Sequence, residues 1–295
     1  MHTRLRPFFA NPDHPASSDT MRESRKSPPS HSDAPGSSGT SGPIGAANST
    51  ADRAIDILLL FTEDHPVWSA SDIAAHFGMP RSTTYRYLNS LRAYALVVED
   101  EKSGFRLGPR IFPLARVAKA HMGVVQLAAP TLREIAARFG ELVVLHERVE
   151  HDIIALDRIE SPQRVSLNST RSHLLPWPAT ASAKLLLACA PPAERAALRR
   201  MLHPVRYTTH TIMGKAELKA ELDRIATRGY ALTEEERDEG VWGVAAPILE
   251  NGAARYCIAI AAPRFRLDGA RIQAMIEAVC AGARAVTAAL EEVRL

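Results

Sequence analysis

Ser69-Ala-Ser-Asp-Ile-Ala-Ala-His-Phe-Gly-Met-Pro-Arg-Ser-Thr-Thr-Tyr-Arg-Tyr-Leu-Asn-Ser-Leu-Arg-Ala-Tyr94 is the stretch on which the fold turns. It reads as two short amphipathic helices with a glycine-bearing turn between them, a helix-turn-helix. Ser71 can cap the first helix, whose inward positions are Ile73, Ala74 and Phe77, and Gly78 supplies the left-handed conformation that ends it. Pro80 prevents simple continuation. The second helix starts at Ser82 or just before it, with Thr84, Tyr87, Leu88 and Leu91 recurring at helical spacing and facing the core. Its other face presents Arg81, Ser82, Thr83, Tyr85, Arg86 and Asn89. Between Pro80 and Val98 there are three arginines and no acidic residue, an asymmetry suited to a polyanion. Such a helix fits the major groove of double-stranded DNA, where arginine bonds guanine bidentately, asparagine pairs with adenine, and hydroxyls bond a base edge or a phosphate. The local pattern alone leaves open an ordinary two-helix hairpin with a solvated basic face.

Outward from this stretch, Leu96-Val97-Val98 and Gly104-Phe105-Arg106-Leu107 flank the polar run Glu-Asp-Glu-Lys-Ser and read as a β-hairpin, the wing. Ahead of it, Ala54, Ile55, Leu58, Leu59 and Phe61 mark a further amphipathic helix, so residues 48–108 read as a winged helix-turn-helix domain. With 295 residues, 46% of them hydrophobic and 23% charged, the chain can bury a sizeable core and is expected to form two folded domains. The net charge of +3 is too mild to argue for nucleic acid by itself; the basic character is local. Cys189, Cys257 and Cys280 are widely spaced and odd in number, which points to a reducing compartment and to no zinc framework. Residues 1–47, rich in Ser, Pro, Gly, Asp and His, read as a disordered tail without the apolar run of an export signal. No later run approaches the ~20 apolar residues of a membrane span, so a cytoplasmic protein with no membrane partner is expected.

Residues 109–124 read as a linker helix, with Pro109 favouring its start and Gly123 marking its end. Beyond it, helices are expected over 126–139, 180–189, 192–202, 215–228 and 268–295, and strands over 142–147, 153–159, 165–168, 243–249 and 256–262. Strands and helices do not alternate strictly. An α+β domain, an antiparallel sheet flanked by helices, fits this order better than a doubly wound one.

The motifs then become specific. Ala51-Asp-Arg-Ala-Ile-Asp-Ile-Leu58, the Pro80 to Leu91 recognition segment and Phe105-Arg-Leu-Gly108 resemble the first domain of the IclR family of bacterial transcriptional regulators. Pro176-Trp-Pro-Ala-Thr-Ala-Ser-Ala-Lys184, Tyr207-Thr-Thr-His-Thr211, Arg228-Gly-Tyr-Ala231, Glu236 with Gly240, and Val244-Ala-Ala-Pro247 are similar to its second. The resemblance implies a homodimer or a dimer of dimers on a pseudo-palindromic operator, with residues 125–295 forming a GAF-like domain that senses a small organic-acid or aromatic effector. It further implies effector contacts at Leu175, Trp177, Ala181, Ser182, Thr233, Gly243, Ala259 and Ala261. No cofactor and no metal are implied. The N–H groups near Ala181 and Ser182, at the positive end of a helix, would favour a carboxylate. Departures from the family pattern make the expected pocket less polar: Trp177-Pro178 replaces Leu-His, Gly243 stands where Cys is frequent, and Ala259 and Ala261 where Ser is frequent. Trp177 and Trp242 are then candidate stacking surfaces for an aromatic or branched acid; core packing of both is the alternative.

Enzymatic readings fare worse. His146 and His151 are five residues apart in a strand-like stretch, where a helical zinc site needs four. Ser182-Ala183-Lys184 has neither a nucleophile elbow nor the Ser-x-x-Lys spacing. The expectation is therefore a ligand-responsive DNA-binding regulator and no enzyme. A ligand sensor or scaffold without sequence-specific DNA binding, and a hydrolase built on the second domain, are its rivals.

Overall fold

The computed structural model describes residues 50–62, 65–101, 104–167, 172–173 and 177–293. The expected tail over residues 1–47, Asn168 and Leu175 lie outside them. Three helices come first: α1 (Thr50–Leu59), α2 (Ala70–Phe77) and α3 (Arg81–Ala93), followed by the hairpin β1 (Val97–Asp100) and β2 (Gly104–Leu107). The cap of α2 is Ser69, not Ser71: its Oγ accepts the Asp72 N–H at 3.1 Å, while Ser71 lies inside the helix and its hydroxyl accepts from Arg81. Gly78 at φ 61 ends α2 in the left-handed region, and Met79 N–H reaches back to the Ala74 carbonyl at 3.0 Å. The stripe that α1 buries also differs from the expected one. Ile57 and Phe61 are buried with Ala54 and Leu58 packed beside them, whereas Ile55 and Leu59 are exposed, because 54, 57/58 and 61 is the set one helical face can hold. Ile73, Leu88, Leu91, Val97 and Phe105 complete this small core. The wing is tied to it by Trp68, which exchanges backbone hydrogen bonds with Phe105 at 2.9 and 2.8 Å.

Next come α4 (Ile111–His121) and α5 (Gly123–Phe139), with a break at Met122; Gly123 opens α5 as well as following α4. The remaining chain runs β3 (Leu142–Val149), β4 (Asp152–Ile159), β5 (Ser172–His173), α6 (Ala181–Ala188), α7 (Pro192–Met201), α8 (Lys215–Arg228), β6 (Ala231–Glu234), β7 (Val241–Glu250), β8 (Ala253–Pro263) and α9 (Gly269–Glu292). The strands form a six-stranded antiparallel sheet in the order β5-β4-β3-β8-β7-β6, with helices on both faces. Strand alternation divides two cores. Val143, Leu145, Trp242, Val244, Ile258 and Ile260 meet α5 and α9, while Ala245, Cys257 and Ala259 meet α6 and the helices behind it.

Residues 165–167 form no strand. Arg266 binds Glu141 at 2.9 and 2.7 Å and takes the Val165 carbonyl at 2.7 Å, so this backbone is held by a guanidinium and not by a ladder; β4 pairs with β5 instead. Helix α9 corrects another expectation. By length and composition it could cross a bilayer, with a mean hydropathy of 1.2 over an 18-residue window, because alanines fill the positions between its large apolar residues. In the fold, Met275, Val279, Ala283 and Val286 of α9 are buried in the core formed with α5 and the sheet.

Candidate functional site

Two surfaces collect the chemistry. On α3, Arg81, Ser82, Tyr85, Arg86 and Asn89 are exposed and Thr83 is half-buried, while Thr84, Leu88 and Leu91 are buried on the opposite side. The helix starts at Arg81 straight after Pro80, whose carbonyl accepts from Thr84 Oγ1 at 3.3 Å. Arg81 is engaged with Ser71 of α2, Tyr85 meets the ring of Phe105 edge-on at 6.4 Å, and the Arg86 guanidinium lies 5.7 Å from the Tyr87 ring centre. The first and last of these contacts set the direction of each arginine, and none of them covers the face. Residues 81, 82, 85, 86 and 89 therefore present two guanidiniums, two hydroxyls and an amide along one ridge.

The second surface is a cavity of about 240 Å3 between α6 and the sheet. Its floor follows the strand register: Leu142 opposes Ala261, which opposes Gly243, which opposes Thr233, and beside this row Val144 opposes Ala259. A side chain at Gly243 would crowd this floor. A Cβ there would stand 3.0 Å from Thr233 Oγ1, tighter than ordinary contact, and 3.7 Å from the Ala181 methyl, so the glycine leaves open the space between Thr233 and the start of α6. The roof is the first turn of α6, capped by Thr180, whose Oγ1 accepts the Ala183 N–H at 3.2 Å. Ser166 and Leu167 close one side, behind the carbonyl that Arg266 holds.

Of the eight residues expected here, Ala181, Ser182, Thr233, Gly243, Ala259 and Ala261 line the cavity. Leu175 lies outside the described residues. Trp177 does not line it: 1% exposed, it belongs to the core behind α6 and donates its indole N–H to the Ile212 carbonyl at 2.6 Å. Trp242 faces the α9 side of the sheet, since it alternates with Gly243. Neither indole is a stacking wall, and the apolar surface comes from small residues and from Leu142, Val144 and Val241.

Sequence reasoning missed His146, Arg237 and Asp238, all on the cavity wall. His146 Nδ1 shares a hydrogen bond with Ser182 Oγ at 3.2 Å, both groups being buried. Burial pushes the neighbouring Cys257 thiol up to about 12, so it stays protonated and inert. Lys184, from the first turn of α6, places its ammonium 2.6 Å from Glu236 Oε1, so its amine is committed to an ion pair and does not serve Ser182. The second oxygen of that carboxylate is buried without a hydrogen-bond partner, and burial raises the Glu236 pKa above the ordinary 4.5 against the opposing pull of Lys184. The available signal for His146 was its even spacing from Leu142 and Val144 on one strand; for Arg237 it was the adjacency to Glu236.

The family profile for the bacterial transcriptional regulator IclR C-terminal region matches residues 117–288, and that for the IclR helix-turn-helix domain matches residues 50–101. The HTH-type transcriptional regulator BhcR of Paracoccus denitrificans is 32% identical over 255 residues, spanning 83% of this chain and 90% of that protein. The HTH-type transcriptional regulator TtgV of Pseudomonas putida is 33% identical over 200 residues, 67% of this chain and 75% of the relative. Among solved structures, an IclR transcriptional regulator from Alicyclobacillus acidocaldarius superposes with a TM-score of 0.72 at 22% identity, over 81% of this chain and 98% of the other. An IclR homologue from Microbacterium hydrocarbonoxydans, crystallised with 4-hydroxybenzoate, does so with a TM-score of 0.69 at 21% identity, over 83% and 100%. With both halves matched in order and at this identity, the chain belongs to the IclR family of bacterial transcriptional regulators.

Proposed function

We propose that this regulator reads a DNA operator with the ridge Arg81, Ser82, Thr83, Tyr85, Arg86 and Asn89, and that a small organic acid in the α6 cavity sets how tightly it does so. The reading divides the chain into a winged helix-turn-helix at 48–108, a linker at 109–124 and a GAF-like effector domain at 125–295. One observation carries it: the basic, hydroxyl-bearing side of α3 is exposed along its length and has no acidic residue on it. Ala181, Ser182, Thr233, Gly243, Ala259 and Ala261 form the effector wall, with the Ala181 and Ser182 N–H groups aimed at the acid group. The same fold accommodates an aromatic acid in the Microbacterium neighbour.

The protein acts as a homodimer or a dimer of dimers, because one winged domain covers one half-site and two-fold pairing doubles the contacts. Helix α4 supports this: none of its residues is buried, and Phe112, Leu114 and Val117 are exposed on it. A cytoplasmic location follows from acting on chromosomal DNA, and no catalysis is invoked, since Lys184 is paired with Glu236 and Cys257 is protonated. Selection of genomic fragments by the purified chain tests the reading. Arg86→Ala should lose about 1–3 kcal/mol and relax choice at one base pair. Equal binding of every fragment by both proteins would mean that α3 does not read sequence.

A further inference from the structure

The connection between β6 and β7, residues 235–240, is braced from three directions. Glu235 sits at φ 56, in the left-handed region that non-glycine residues rarely take, and Thr208 Oγ1 donates to its carbonyl at 2.5 Å. Thr211 Oγ1 accepts from the Tyr207 and Thr208 N–H groups at 3.0 and 2.9 Å and donates to the Glu236 carbonyl at 2.8 Å. Lys184 holds the Glu236 carboxylate from the helix side. What this bracing presents is Arg237. Its guanidinium lies over the Tyr207 ring, 4.0 Å from the ring centre, and the residue is half-buried on the cavity wall. Stacking fixes the plane of the guanidinium and leaves its N–H edge available.

Among the described residues the other charges on the wall are accounted for. Glu236 is neutralised by Lys184, Asp238 is exposed and screened by water, and His146 shares its hydrogen bond with Ser182. Among the described residues Arg237 has no carboxylate within ion-pair distance. The start of α6 offers roughly half a positive charge. A guanidinium adds a whole one, with two parallel donors that match a carboxylate. The cavity's volume of about 240 Å3 lies below the roughly 300–1,000 Å3 of sites for drug-sized ligands, so it suits one ring and one acid group.

We propose that Arg237 is the charge-reading residue of this cavity, and that the cavity takes a single-ring carboxylic acid whose carboxylate lies on the Arg237 edge while its ring covers Gly243, Ala259 and Ala261. The proposal rests on the cavity being the effector site. It is preorganised: the threonine brace and the Tyr207 stack remove the ordering cost that a loop arginine carries when it closes on an anion.

Calorimetry and thermal shift on the full chain, with benzoate, cyclohexanecarboxylate, benzamide and benzylamine as probes, test it. The wild-type chain should bind both acids and prefer benzoate to benzamide and benzylamine. Arg237→Met should weaken the acids roughly ten- to a hundredfold and erase their advantage over benzamide, with its unliganded melting and operator binding kept as controls. Arg237→Lys, which keeps the charge without the planar fork, should recover part of the loss and stands in if the methionine variant does not fold. An unchanged acid-to-amide preference in both variants would overturn the role of Arg237 and leave the cavity reading intact. Preference for benzylamine would overturn it by pointing to Asp238. Failure of both acids to bind the wild-type chain would overturn the ligand class. Acids that bind through Arg237 yet leave operator affinity unchanged would uphold this proposal while sinking the regulatory one.

Discussion

Lys184 and Glu236 form the most deeply placed charge pair described near the cavity, with the lysine 1% and the glutamate 8% exposed. Removing one partner of such a pair costs more than the pair contributes, because the survivor is left charged in an apolar setting. Lys184→Met is therefore expected to destabilise the protein by about 3–5 kcal/mol near neutral pH. Burial already holds the Glu236 carboxyl above its ordinary 4.5, so the fold keeps this proton to higher pH than the unfolded chain does. The unfolded state then binds fewer protons, and this group's contribution favours the fold at low pH and fades as pH rises through the folded pKa. Without Lys184 that pKa climbs further. Urea melts at about pH 7.5 and about pH 5.5 should show the variant's deficit shrinking at the lower pH; an equal deficit at both would mean that the pair is not what the substitution breaks. The small residues of the cavity floor were legible because motif order locates them. His146 and Arg237 were not, since what brings them to the wall is the pairing of β3 with β8 and a turn 26 or more residues away in the chain.

At the scale of elements, α4 is the outlier: a helix with Phe112 80%, Leu114 55% and Val117 57% exposed. Burying such side chains is worth about 1.5–3 kcal/mol each, and a second copy of the chain is the occupant that the proposed two-fold operator binding requires. Phe112→Glu with Val117→Glu should shift the chain toward monomer by about tenfold or more in dissociation constant while leaving the melting of the sheet domain unchanged, as read by equilibrium sedimentation and circular dichroism. Unaltered sedimentation would remove α4 from the interface. Elements with strong periodicity or clear punctuation were readable: α8 begins at Lys215 and ends at Arg228 before Gly229, as expected, and β2 matches its expected span. Those set by tertiary contact were not. Strand β6 is four residues long and exists only as the edge partner of β7, and the extended look of residues 165–167 yielded to the Arg266 guanidinium.

For the whole molecule the formal charge is only +3, so attraction to DNA must come from where the charge sits and not from its sum. With Arg81 and Arg86 exposed on α3, the proposed dimer would bring four such cations to the duplex. With Arg81 of each copy on a phosphate and Arg86 on a base, log affinity should fall against log salt with a slope of about −2 or steeper, measured by fluorescence anisotropy on an operator fragment. A slope near zero would mean that backbone contacts contribute nothing. An effector that prefers one arrangement of the two winged domains shifts the salt curve up or down without changing its slope. The alternation along β7 has a lasting effect on how such a protein diversifies. Val241 and Gly243 look into the cavity, whereas Trp242 and Val244 anchor the far layer. Substitutions at Val241 and Gly243 reshape the cavity while Trp242 and Val244 keep the scaffold standing, so taste and sturdiness are inherited on alternate residues of one strand.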